Sequence, residues 1–243
     1  MRGMRDSYAQ SLHDFSADVV SLAECVEKIL GHANDALLHA NRHMSDEALA
    51  LKPEETAIRA RCEERAVRLL ATEGPVARDL RQVISSIYIV EELGRMAALG
   101  RHLARIARRR APSPAIPADL RPYLAEMGRV ALALTRRMRD TLADPDPQVA
   151  SSLMRDDDAI DELHAYLFAQ LTTQPWPHST TEAIDVALAS RFYERYADHA
   201  VHVGARVVYL ATGLHQEDYL ARREQELLDI ETDIADLERR LNS

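Results

Sequence analysis

Two cysteines, eight glycines and a 5% aromatic share are all that 243 residues spend on these types. Each scarcity excludes something. Cys25 and Cys62 lie in helical patterns without a CxxC neighbour, so they make no thiolate zinc site by themselves and read as small buried hydrophobes. With few glycines and aromatics, and with Ala and Leu abundant, the chain favours helices, because Ala and unbranched side chains lose least on entering one. No stretch approaches eighteen uncharged apolar residues, and the start MRGMRDSYAQSLHDF has no apolar run of signal-peptide length. The expectation is therefore a protein of the reducing cytoplasm, peripheral to any membrane. Positive charge is also in deficit. A formal charge of −9 argues against a direct nucleic-acid binder, which needs clustered Lys and Arg to displace counterions. The basic run Arg105, Arg108, Arg109 and Arg110 ends a helical pattern, where cations complement the helix dipole; that reading outweighs a docking patch.

What is present is helical periodicity. Leu12, Phe15, Val19, Leu22, Val26, Ile29, Ala33, Ala36 and Leu37 recur at three- and four-residue steps, predicting a long helix from Tyr8 to about His43. A second helix is expected from Pro53 to Ala71, with Pro53, Glu54 and Glu55 suited to its first turn. Glu73-Gly74-Pro75 breaks it, and a third follows from Val76 to Arg110. The segment APSPAIPADLRP carries four prolines and reads as a linker without core contacts of its own. After it the pattern restarts: Leu120–Leu142, Gln148–Thr172 and, after a turn around Trp176, Glu182–Thr212. Thr180 or Thr181 is the expected N-cap of this last helix and Gly213 its stop.

The fold class predicted is all-α, as two tandem three-helix bundles and a charged C-terminal helix. Residues 1–110 form the first repeat, 111–122 the proline-rich linker, 118–213 the second repeat and 214–243 the tail helix. An offset of one hundred aligns Ile84 with Ile184, Arg95 with Arg195, Ala97 with Ala197 and His102 with His202, which supports a duplication. In the tail, Leu220, Leu227, Ile234 and Leu241 are spaced by seven with Ile230 and Leu237 between, a short heptad seam suited to dimerisation or docking.

Chemistry concentrates in the second half. Asp157 and Asp161 lie four apart, as do Glu194 and Asp198 on the next long helix, so each pair projects from one face. If those faces oppose, four carboxylates converge and need a cation or water. Iron, manganese, magnesium or zinc would balance them, with His199 or His202 adding nitrogen, or Arg195 would neutralise part of the charge. Enzymatic signatures are absent: no nucleophile elbow, phosphate-cradling glycine loop, HExxH or Glu-x-x-His occurs, the nearest approach being Asp161-x-x-His164. Arg78 and Arg81, near a helix start, offer weak support for phosphate binding, since capping that helix serves equally.

Several of these residues match one family. Ala77-Arg-Asp-Leu-Arg81, behind a proline, resembles the entry motif of PhoU proteins. Glu194-Arg195-Tyr-Ala-Asp198-His199-Ala200 and Asp157-x-x-Ile160-Asp161 resemble their acidic motifs. The ending Arg206–Gly213 is similar to the close of the second repeat in actinobacterial members, and the resemblance spans about residues 5–213. It implies two three-helix bundles in a homodimeric or larger cytoplasmic protein. That protein would regulate phosphate uptake and the phosphate-starvation response through a phosphate ABC transporter or its sensor histidine kinase, without catalysis of its own. Some members bind iron or zinc clusters through the paired acids, and others carry no metal. Here the first-repeat positions matching Glu194 and Asp198 are Gly94 and Ala98, and those matching Asp157 and Asp161 are Glu55 and Arg59. Any metal should therefore be confined to Asp157, Asp161, Glu194 and Asp198. The competing reading is a metal-carboxylate protein that stores or senses metal, or does redox work, through that cluster.

Overall fold

The computed structural model describes residues 2–72, 77–173 and 175–241, and among the described residues the regular structure is all helix, without a strand. The helices are α1 (Arg2–His39), α2 (Arg42–Ala50), α3 (Lys52–Thr72), α4 (Arg78–Arg110), α5 (Arg121–Ala143), α6 (Pro147–Thr173), α7 (Thr180–Thr212) and α8 (Gln216–Leu241). The α1 stripe from Phe15 to Leu37 is buried as its periodicity requires. The expected helix to His43 instead ends at His39. Asn41 then caps a separate short helix, its side chain accepting from the Met44 N–H at 3.3 Å. The first half thus holds four helices where three were expected. The break at Glu73-Gly74-Pro75 lies outside the described residues.

α4 and α7 form the spine. Arg81 meets Leu210, Arg206 lies over Tyr88, Glu92 approaches His202, His102 stacks on Phe192, and Arg109 pairs with Asp185. Residue numbers that rise along α4 fall along α7, so the helices run antiparallel, with buried Ala97 and Ala197 at the middle of the register. α1 packs on α4 and α5, and α6 packs on α5 and α7, while α3 lies against α1 and α4. One contiguous apolar core runs through both halves.

Two expectations, about the linker and a helix start, are corrected. Ala115 and Ile116 are buried in the core, so the proline segment does carry core contacts. Proline removes backbone donors but does not stop an intervening apolar side chain from seeking the interior. The N-cap of α7 is Ser179, not Thr180 or Thr181. Its hydroxyl accepts from the Glu182 N–H while the Glu182 carboxylate accepts from the Ser179 N–H, a reciprocal box that satisfies two end donors. The basic run stands in the last turn of α4 as expected and also meets specific acids: Arg108 pairs with Asp46 at 3.1 Å, and Arg109 and Arg110 pair with the buried Asp185 of α7. Gly213 stops α7 as expected, with φ of 78°.

α8 touches the body mainly near its start, where Tyr219 is buried. Leu220, Leu227, Ile230 and Ile234 remain exposed along it. The side chains of Leu237 and Leu241 lie outside the described residues.

A buried polar bridge ties α1, α5 and α7 together. The Asn34 amide donates to Gly128 O at 3.1 Å, and the fully buried Tyr193 hydroxyl donates to Asn34 Oδ1 at 2.6 Å. A Cβ at position 128 would stand 2.9 Å from the Asn34 amide nitrogen, so glycine is what lets that amide reach the α5 backbone. Asn34→Leu would strand the buried Tyr193 hydroxyl and remove the side-chain bond to the Gly128 carbonyl, costing about 1–3 kcal/mol. A fall in the urea unfolding midpoint of that size checks this; an unchanged midpoint refutes it.

Candidate functional site

The packing of α6 on α7 brings Asp157, Asp161, Glu194 and Asp198 into one electrostatic neighbourhood. Burial pushes the Asp157 carboxyl up to about 7, with repulsion from Asp161, Asp198, Glu194 and Asp158 adding to it. Asp161 is raised by burial, then by Asp198 and Asp158, and eased by His164 and Arg191. Glu194 is raised by burial and Asp198, and eased chiefly by Arg191, with which it forms an ion pair. His164 is itself held by Ser190, with Nδ1 3.0 Å from the hydroxyl oxygen. Two oxygens, Asp157 Oδ1 and Glu194 Oε2, are buried without a hydrogen-bond partner among the described residues. A buried carboxylate oxygen in that position asks for a proton or a cation. The four acids are gathered but not closed: among the described residues, no three of them bring their oxygens within 4.8 Å of one another.

The corresponding place in the first half shows how such a site is neutralised from within. Arg59 reaches across from α3, 3.5 Å from Glu55 and 2.7 Å from Glu91. Its guanidinium occupies the space beside Gly94, where a Cβ would come within 2.8 Å of Arg59 Cζ. Buried Arg101 holds the other oxygen of Glu55 at 3.2 Å. At the hundred-residue offset Glu91 answers to Arg191 and Gly94 to Glu194, while on α3 and α6, where the matching offset is 102, Arg59 answers to Asp161. Two arginines face two acids in the first half. Four acids face Arg191 in the second.

The other candidates resolve differently. His199 and His202 turn away from the carboxylates towards α4, where His199 Nδ1 lies 2.6 Å and His202 Nδ1 3.7 Å from Glu92 Oε2. Glu92 is the partner that sequence reasoning missed; the antiparallel register of α4 on α7 is what selects it. Arg81 helps to close α7, its Nε donating to Leu210 O at 3.2 Å. Arg78 borders a cavity of about 430 Å³ with His13, Ser16 and Gln82. Cys25 and Cys62 are free and buried, and burial pushes both thiols up to about 11, so they stay protonated and inert. A groove of about 480 Å³ lies between α3 and α4, lined by Phe15, Cys62, Val67, Ile87 and Val90 with Arg59 and Glu91 at its polar side. Val67 and Ile87 there are exposed, as are Leu80 and Ile84 nearby on α4.

The raised Asp157 carboxyl has a consequence for stability. Its folded pKa of about 7 exceeds the ordinary 3.8, so the folded state binds more protons between those values and stability falls as pH rises through them. Asp157→Asn should flatten that decline and raise stability at pH 8 by roughly 1–2 kcal/mol, a figure discounted for solvent and counterion screening. Melting of chelator-treated protein between pH 4 and 8 measures it, and an identical slope in the variant contradicts it.

Comparison with known proteins covers most of the chain. The PhoU domain matches twice, over residues 19–109 and 124–207. The chain is 40% identical over 210 residues to the phosphate-specific transport system accessory protein PhoU homolog 2 of Mycobacterium tuberculosis, covering 86% of this chain and 99% of that protein. It is 39% identical over 215 residues to PhoU homolog 1 of Mycobacterium leprae, covering 88% and 97%. The crystal structure of PhoU from Pseudomonas aeruginosa superposes with a TM-score of 0.78 at 23% identity, over 85% of this chain and all (100%) of that one. The PhoU regulatory protein from Streptococcus pneumoniae gives 0.75 at 21%, over 86% and 98%. These two share the fold. Two domain matches and mycobacterial relatives at this identity make the chain a member of the PhoU family.

Proposed function

We propose that the protein is a cytoplasmic regulator of phosphate uptake and of the phosphate-starvation response. It acts by binding a phosphate ABC transporter, its sensor histidine kinase, or both, without catalysis. The observation that carries this reading is the pair of PhoU matches spanning most of the chain, joined to mycobacterial relatives named as accessory proteins of phosphate-specific transport. Among the described residues no helix is long and apolar enough to cross a membrane, which fits a role exerted through partners. The α3–α4 groove is the docking face in this reading, because it exposes apolar side chains of both helices along a channel suited to a partner helix. The exposed apolar positions of α8 serve self-association into a homodimer.

Deleting the gene should switch on phosphate uptake and starvation genes in phosphate-rich medium. Wild-type protein and a Glu194→Ala/Asp198→Ala variant should both restore repression, whereas Val67→Arg/Ile87→Glu should not, at equal protein levels. Unchanged phosphate-responsive transcription in the deletion strain, with no second copy expressed, rules the role out. Repression restored in full by the groove variant removes the groove from it.

A second reading is favoured by the two stranded oxygens of Asp157 and Glu194. In it, Asp157, Asp161, Glu194 and Asp198 hold iron, zinc, manganese or magnesium, whose positive charge would relieve the mutual repulsion of the acids. The first half needs no such ion, since Arg59 already supplies the charge. Elemental analysis of protein purified without chelators should find metal that Glu194→Ala/Asp198→Ala abolishes and a change at Glu55 does not. Metal retained by the double variant would assign it elsewhere.

A further inference from the structure

We propose that Glu92, His199 and His202 form a second site, selective for zinc-class transition metals, that bridges the two halves of the chain. The three residues offer ligand atoms that all lie within 4.8 Å of one another. His199 and His202 are one helical turn apart on α7 and present their rings to the same face, the rings meeting edge-on with centroids 6.0 Å apart. Glu92 comes from α4, across the seam. The site therefore exists only because the first-half spine helix lies antiparallel on the second-half one.

The donor set decides the class of ion. Two imidazole nitrogens and one carboxylate oxygen suit Zn²⁺, Co²⁺, Ni²⁺ or Cu²⁺, whereas Mg²⁺ and Ca²⁺ prefer oxygen alone. Around a tetrahedral ion with bonds of about 2.0–2.1 Å, neighbouring ligand atoms stand about 3.3 Å apart. Glu92 Oε2 is 2.6 Å from His199 Nδ1 and 3.7 Å from His202 Nδ1, so closure needs the first contact to open slightly and the second to tighten. The half-buried Glu92 side chain and the 62%-exposed His202 ring have room to do both. That exposure also gives the ion a path in and leaves a coordination position for water.

The other end of the same seam is an internal comparison. There His102, the counterpart of His202, stacks on Phe192 with ring centroids 5.1 Å apart, and Leu99 stands at the position of His199. Phenylalanine and leucine offer no ligand atoms, so the site occurs once per chain. It is also separate from the four carboxylates, which lie between α7 and α6, and its existence does not depend on whether they bind an ion.

Cobalt and zinc titrations of the full-length, chelator-treated protein test this, in a Glu194→Gln/Asp198→Asn background that silences the carboxylate cluster. One equivalent of Co²⁺ should bind with the intense visible absorption of tetrahedral nitrogen ligation, and Zn²⁺ should displace it and raise the melting temperature. His202→Ala, at an exposed position, and Glu92→Gln should each weaken binding at least about tenfold and abolish the thermal shift. His102→Ala should change neither. No binding in the parent background, a weak octahedral cobalt spectrum, or equal affinity in His202→Ala would overturn the proposal and leave a plain His–Glu hydrogen bond.

Discussion

α4 and α7 lie antiparallel with buried alanines, Ala97 and Ala197, at the centre of their register, and the rest of the molecule is arranged around that contact. Small side chains at the middle let two long helices approach closely, leaving the larger contacts to fall at intervals towards the ends. Each interval pairs a residue of one half with a residue of the other: Arg81 with Leu210, Tyr88 with Arg206, Glu92 with His202, His102 with Phe192, Arg109 with Asp185. The duplication makes this a near-twofold arrangement, in which positions such as 92 and 192 play equivalent parts. Because the sequences of the two halves have diverged, equivalent places carry different chemistry.

That divergence is sharpest where charge is buried. Between α3 and α4 the acids Glu55 and Glu91 are answered by Arg59 and Arg101, and Gly94 makes room for the guanidinium. Between α6 and α7 the corresponding surface holds four carboxylates with Arg191 on Glu194, and two oxygens have no partner among the described residues. Desolvating like charges together is costly, and the cost shows as the upward displacement of Asp157, Asp161 and Glu194. One half has therefore fixed its counter-charge covalently, as an arginine. The other has no arginine at the equivalent place, and Arg191 answers only Glu194 among its four acids.

Much of this was legible in the chain. The stripe from Phe15 to Leu37, the acids at four-residue spacing and the stop at Gly213 follow from local rules of helix geometry and backbone conformation. The loss of acids from the first half was equally plain from Gly94, Ala98 and Arg59. What escaped was either too short for periodicity or set by distant residues. The nine-residue α2 depends on a single Asn41 cap. Ile116 hides a core contact among prolines that signal a loop. The polar bridge from Tyr193 through Asn34 to Gly128, and the pairing of Glu92 with His199, join residues 94 to 159 positions apart. Helix periodicity gives the face a side chain occupies, but not which residue of another helix will meet it.

The same register explains why the histidines of the Glu194–Ala200 motif serve a different surface from its acids. On a helix, Glu194 and Asp198 are nearly in line, whereas His199 is rotated by about 100° from Asp198. A helix clamped between two neighbours presents both faces to protein, so acids directed at α6 leave the imidazoles directed at α4. The interval from Asp157 to Asp198 joins helices within one half, and an ion there would reinforce a bundle that is already closely packed. The interval from Glu92 to His202 joins the halves themselves. Occupancy at that second position would change how firmly α4 is held to α7. α4 also forms one wall of the apolar α3–α4 groove, so the helix that carries Glu92 is shared between the seam of the two halves and the surface proposed for docking.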